Sequence, residues 1–134
     1  MASNYHYGQK DKSGKPYIFH LIHVMNNVRE LDAKVVAILH DILEDTDMTK
    51  NDLLSIGFDE DIVHAIEVLT KPKQQAYIDY IENVNKYSLA RKVKMIDLKH
   101  NMDLTRLETI TEKDLKRTKK YFKAYKILLN FMKC

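Results

Sequence analysis

Apolar residues recur along this chain at steps of three and four rather than two. Ile18, Leu21, Ile22, Met25 and Val28 form one such stripe. Leu89, Val93, Ile96, Leu104 and Leu107 form another, and both have the spacing of a helix face. Between them the segment Val35, Val36, Ala37, Ile38, Leu39, Ile42, Leu43 is apolar nearly all round, which predicts a central helix. No alternating run and no Asn-Gly turn signals a hairpin. The pattern predicts an all-α fold, with helices over about 3–10, 18–30, 33–45, 50–56, 60–70, 75–85, 88–105 and 112–132. Thr49 with Asp52, and Thr111 with Asp114, have the spacing of a capping box. Asp32 and Asp59 are placed to cap the helices that follow them, and Gly57 to end the one before it.

Composition narrows the class. The chain has 134 residues, 45% hydrophobic and 31% charged, which predicts one globular domain over residues 1–134. No apolar run approaches the roughly 20 residues of a membrane span. The opening MASNYHYGQK lacks the apolar stretch of a secretory signal. The single cysteine, Cys134, excludes a disulfide framework and a thiolate zinc site, and a cytoplasmic location is expected. Only Gly8, Gly14 and Gly57 are glycines, so neither a dinucleotide-binding fingerprint nor a Walker A loop is present. The net charge of +3 is unevenly spread: residues 111–134 carry eight Lys/Arg against two Asp/Glu.

The informative anomaly is polar residues within apolar stripes. His40 and Asp41 interrupt the third helix, His20 and His23 lie in the second, and Asp97 adjoins the stripe of the 88–105 helix with Asn101 one turn on. Burying an ionised Asp is costly unless it is paired or holds a metal. Two histidines and two carboxylates form a mixed nitrogen and oxygen donor set suited to Mn²⁺, Fe²⁺ or Zn²⁺. A polar seam is the plainer reading of the same residues. Adjacent side chains on a helix point about 100° apart, so His40 and Asp41 can reach one ion only near a helix junction. Glu44 shares the face of His40 and Asp41 and is followed by Asp45; such carboxylates orient water or act as a general base, or simply end a solvated helix. Arg117 and Tyr121 are i, i+4 partners, an arginine fork for phosphate and a ring for a base, or a surface Arg over a core Tyr. Lys12, Lys15, Lys71 and Lys73 are available as phosphate charges or as ordinary solvated lysines.

Three segments carry a resemblance. HYGQKDKSGKPYIFH (6–20), ILHDILEDT (38–46) and VKMIDLKHNM (93–102) resemble, in order, motifs of the RelA/SpoT-type alarmone hydrolases within the HD superfamily of metal-dependent phosphohydrolases. The resemblance spans roughly residues 6–125 and includes the small single-domain members, whose final helix has an R-x-x-x-Y pattern matched by Arg117 and Tyr121. It implies a helical bundle of seven or eight helices around a metal site. His20, His40, Asp41 and Asp97 would be the ligands of one ion, Mn²⁺, and Glu44 and Asp45 the catalytic acidic pair. Lys12, Asn101, Arg117 and Tyr121 would contact substrate. The implied reaction removes the 3′-pyrophosphate of guanosine tetra- or pentaphosphate, a metal-bound water attacking phosphorus. The length leaves room for the hydrolase domain only.

Asp11 stands where the family usually has an Arg associated with guanine, Leu104 where Thr is frequent near the ribose, and Leu21 where Pro usually follows the ligand His. A different nucleotide or phosphoester is therefore the second reading. A non-catalytic nucleic-acid-binding module is the third, raised by KDLKRTKKYFKAYK. A solvated helix face explains that run, and nucleic acid is not expected as a partner. Of the other histidines, His6 matches the first motif, while His23, His64 and His100 read as packing or surface residues.

Overall fold

The computed structural model describes residues 1–11 and 13–132. Among them are nine α-helices, one 3₁₀ turn and no strand; Lys10 and Pro16 form an isolated antiparallel bridge. The helices are α1 (Ala2–Tyr5), α2 (Ile18–Asn26), α3 (Leu31–Leu39), α4 (Ile42–Asp45), α5 (Lys50–Ile56), α6 (Glu60–Leu69), α7 (Tyr77–Asn85), α8 (Ser88–Asn101) and α9 (Glu112–Met132), with the 3₁₀ turn at Leu104–Arg106. The all-α expectation holds.

Helix α8 packs against α2, α3, α6, α7 and α9, and α3 packs against α2, α6 and α8. The core between them includes Leu21, Val24, Val36, Ala37, Ile66, Ile81, Val93, Leu98 and Leu128. Burying such side chains is the main favourable term, at about 1.5–3 kcal/mol each for the larger ones.

Local signals set most boundaries. The Thr49–Asp52 box is complete, each side chain bonding the other's backbone N–H, and it starts α5. The Thr111–Asp114 box forms in the same way and starts α9. Gly57 ends α5 at φ 112°, a left-handed conformation that glycine adopts without strain.

Five expectations need correction. The helix expected over 3–10 is only α1, because the chain turns through Gly8 at φ 83°. Helix α2 stops at Asn26 instead of 30, and the 88–105 helix ends at Asn101 before the separate 3₁₀ turn. Asp32 is not a cap: Glu30 is the N-cap of α3 and Asp32 lies in the first turn, where its charge still suits the helix dipole. The helix expected over 33–45 is broken at His40–Asp41 into α3 and α4, Asp41 having φ −103° and ψ 3°. That break is the junction that the adjacency of His40 and Asp41 demanded.

Candidate active site

The break in the helix places the site. His40 closes α3, Asp41 is the N-cap of α4, and Glu44 and Asp45 complete its short turn. A helix end leaves its last carbonyls without intrahelical partners. His40 uses one: its Nδ1 lies 2.6 Å from the Ala37 carbonyl, so Nδ1 carries the proton and donates. Its Nε2 is turned toward the Asp41 and Asp97 carboxylates. That nitrogen is buried without a hydrogen-bond partner, although Asp41 Oδ2 and Asp97 Oδ1 lie 3.1 and 3.4 Å away.

Helix α8 presents Lys94, Asp97 and Asn101 along one face by their i, i+3 and i+4 spacing. Asp97 Oδ1 meets His20 Nε2 at 2.8 Å and the Asn101 amide at 3.1 Å. Its Oδ2 receives the Lys94 ammonium at 3.0 Å. His20, from α2, stands opposite with its Nδ1 2.7 Å from Nδ1 of His100.

Ligand-type atoms of His20, His40 and Asp97 all lie within 4.8 Å of one another. An unpartnered buried imidazole nitrogen beside a second imidazole and a carboxylate fits a divalent transition ion. Asp41 stands beside this trio, its Oδ2 accepting from the Tyr17 hydroxyl. These donors come from α2, from the α3–α4 break and from α8, so tertiary packing assembles the site.

Electrostatics mark the same place. Burial disfavours a charged His40, but the Asp41 and Asp97 carboxylates outweigh it and hold the ring well above its ordinary value. Burial likewise pushes Asp97 up, but Lys94 and His40 hold it well below the usual carboxylate range. Glu44 and Asp45, at the mouth, are raised by enclosure and by the Asp41 charge, Asp45 to about 6. Enclosure and the neighbouring Arg106 lower His100 to about 4.

All of this opens into one cavity of about 700 Å³. Its lining includes the carboxylates Asp41, Glu44, Asp45 and Asp97 together with Lys71, Lys94, Lys120, Tyr77 and Tyr121. Lys120 Nζ lies 4.4 Å from the Tyr77 ring centroid. Of the expected substrate contacts, Asn101 and Tyr121 line the cavity, whereas Lys12 lies outside the described residues. Arg117 lines a smaller neighbouring cleft with Asn101 and Leu104, and its guanidinium is paired with Asp114. Asp11 reaches the cavity rim with its carboxylate engaged: Oδ1 accepts from Ser13 and Lys15, and Oδ2 from Arg106 at 2.7 Å.

Sequence reasoning passed over Tyr17, Lys94, Lys120 and His100. Tyr17 and Lys94 each precede a candidate ligand by three residues, a helical-face signal that was available. Lys120 reaches the cavity only because α9 packs on α7 and α8, which no local pattern reveals. His100, expected to be a packing or surface residue, instead bonds the candidate ligand His20; His23 stacks on it at a centroid distance of 3.8 Å. His64 is exposed, beside Tyr87 and Glu67. His6 is buried, its Nδ1 2.8 Å from Gln9 Oε1, and Gln9 in turn donates to the Asp45 carbonyl.

A helical fold that converges histidines and aspartates from separate helices on one buried point defines the HD class of metal-binding domains. No family model matches the chain. Relatives and a solved structure place it within that class. It is 41% identical over 75 residues to a guanosine-3′,5′-bis(diphosphate) 3′-pyrophosphohydrolase of Borreliella burgdorferi, covering 53% of this chain and 11% of that protein. It is 36% identical over 95 residues to the protein of that name in Aquifex aeolicus, covering 67% and 14%. The chain thus spans between a tenth and a sixth of the length of these curated relatives. A solved structure of a metazoan ortholog of SpoT, described as hydrolysing ppGpp, superposes with a TM-score of 0.74 at 27% identity, covering 97% of this chain and 80% of that one. By sequence and by fold, the chain is a RelA/SpoT-type HD domain.

Proposed function

We propose that residues 1–134 form one HD-type domain that hydrolyses the 3′-pyrophosphate of guanosine tetra- or pentaphosphate with the help of one divalent ion, Mn²⁺. The observation that carries this reading is a single cavity lined both by metal-type donors and acids and by lysines with tyrosines. A substrate fitting both sets has clustered phosphates and an aromatic base. The names of the relatives and the activity of the solved neighbour support the same substrate.

In this reading His20, His40, Asp41 and Asp97 hold the ion. Bound there, a divalent ion supplies Lewis-acid polarisation of a phosphate oxygen and an acidified water. The chain's own groups do the rest. Tyr17 orients Asp41 through its hydroxyl, and Lys94 holds Asp97. Asp45, raised to about 6, and Glu44 exchange a proton with the attacking water or the leaving oxygen near neutral pH. Lys71 and Lys120 neutralise phosphate, and Tyr77 and Tyr121 receive the base. No helix among the described residues is long and apolar enough to cross a membrane, and such a substrate goes with a cytoplasmic location.

Asp11 favours a second reading, hydrolysis of another nucleotide. Its carboxylate is committed to Arg106 at the rim, so position 11 offers a base no cation. The deciding experiment incubates Mn²⁺-loaded protein with ppGpp and a nucleotide panel and follows released pyrophosphate or phosphate. Turnover of ppGpp, abolished by Asp41→Ala, is expected. Turnover of another nucleotide alone supports the second reading, and no turnover of any substrate rejects both.

A further inference from the structure

The two histidines of the candidate metal trio are arranged alike, with Nε2 toward Asp97 Oδ1 and Nδ1 turned away onto an outer partner. For His40 that partner is the Ala37 carbonyl, which only accepts and so fixes the proton on Nδ1. For His20 it is a third imidazole, Nδ1 of His100, at 2.7 Å. Two tautomers of His20 are open to it: the first satisfies both distances as they stand, whereas the second sets two lone pairs face to face at 2.8 Å and needs a cation between them. With its proton on Nε2, His20 donates to Asp97 Oδ1 and accepts from His100. With its proton on Nδ1, His20 donates to His100 and turns a bare Nε2 lone pair toward the point that His40 Nε2 and Asp97 Oδ1 also face. Only the second tautomer can coordinate an ion through Nε2, and it requires an unprotonated Nδ1 on His100.

We propose that His100 is a positioning residue for metal binding, accepting the Nδ1 proton of His20 and so fixing His20 as an Nε2 donor. This rests on the metal-site reading above. The geometry supports the role beyond the single bond. The His100 ring lies nearly parallel to that of His20, at 10° and a centroid distance of 5.0 Å, and is backed on its own side by His23 at 3.8 Å and 15°. The stack holds the His100 ring plane. Arg106 donates to the His100 backbone carbonyl at 3.0 Å, anchoring that residue at the end of α8. Outer partners of this kind ordinarily contribute ten- to a hundred-fold in metal affinity.

Two substitutions separate the hydrogen bond from the stack. His100→Phe keeps a ring between His20 and His23 but has no acceptor. His100→Asn loses the ring but places Oδ1 where the imidazole Nδ1 stands. Mn²⁺ binding to the metal-free proteins is measured by calorimetry, with His40→Ala as the site control. The wild type binds and His40→Ala does not; His100→Phe binds roughly ten- to a hundred-fold more weakly, and His100→Asn recovers most of the loss. Equal affinity in wild type and His100→Phe, or an Asn variant as weak as Phe, overturns the proposal while the metal reading stands. A wild type that binds no Mn²⁺ overturns both. Nitrogen-edited NMR of the zinc-loaded wild type needs no variant to fold: His20 must show its proton on Nδ1, and a proton on Nε2 refutes the role.

Discussion

Asp45 offers a direct test of how the acidic lining was built. Its carboxyl stands at the cavity mouth on an exposed residue, near Asp41 and Glu44, and is raised from 3.8 to about 6. A folded value above the unfolded one means that the folded state binds more protons between those limits. Stability from this group is therefore fully present below about pH 4, falls as pH rises through about 6, and then levels off. Two units at about 1.4 kcal/mol each set an upper limit near 3 kcal/mol. Water reaches this carboxyl, and screening reduces the effect to on the order of 1 kcal/mol. In a domain of this size that corresponds to about 3–5 °C in melting temperature. The assay is thermal unfolding in EDTA from pH 4.5 to 8, comparing wild type with Asp45→Asn. The variant is expected to be more stable at pH 8, with the difference vanishing toward pH 4.5. Saturating Mn²⁺ supplies the missing positive charge and flattens the wild-type curve. Parallel curves for the two proteins in EDTA would refute the reasoning, because the raised carboxyl would then carry no folding free energy. The same substitution should abolish turnover, since stability is being traded for a working carboxyl.

Lys94→Met leaves Asp97 Oδ2, on a side chain only 6% exposed, without its cation; a loss of roughly 3 kcal/mol is expected in metal-free urea unfolding. Tyr17→Phe removes the hydroxyl on Asp41 while keeping the ring against His6 and His20, so about tenfold weaker Mn²⁺ binding is expected by calorimetry with little change in fold by circular dichroism. Lys120→Ala should raise KM for a pyrophosphorylated nucleotide more than it lowers kcat, and the effect should shrink with added salt in steady-state assays. Leu128→Ala, at a fully buried position of α9, should cost about 2–5 kcal/mol in urea unfolding.

Most of the fold is legible because it is local. The periodicity of Leu89 and Val93 finds α8, and the side-chain chemistry of Thr49, Asp52 and Gly57 sets both ends of α5. The errors fall where tertiary structure overrides a local signal. Asp32 looked like a cap, yet Glu30 is the N-cap and α3 starts at Leu31, two residues earlier than an Asp32 cap requires. The segment 33–45 is helical by composition, yet breaks at the one dipeptide whose side chains must converge. The metal-type trio was legible for the opposite reason, since His20, His40 and Asp97 are polar where apolar residues belong. Arg117 shows the limit of a pattern: its spacing from Tyr121 is right, but its guanidinium is spent on Asp114, and the neighbouring Lys120 lines the cavity instead.

The charges that line the cavity would make a bound metal ion and a bound polyphosphate depend on each other. Asp41, Glu44, Asp45 and Asp97 face inward together, and the raised Glu44 and Asp45 register their mutual repulsion. A phosphate chain brought against these carboxylates is repelled at close range, where enclosure weakens screening. Lys71 and Lys120 line the same cavity and attract it. A divalent ion held by His20, His40 and Asp97 would offset about half of the charge of these four carboxylates and give the phosphates a cation to meet. A bound nucleotide would in turn add negative charge beside the ion. Each ligand would therefore raise the affinity for the other by the same factor, as linkage requires. Lys94 takes part in both states: its ammonium is already on Asp97 Oδ2, which leaves Oδ1 alone facing the histidines.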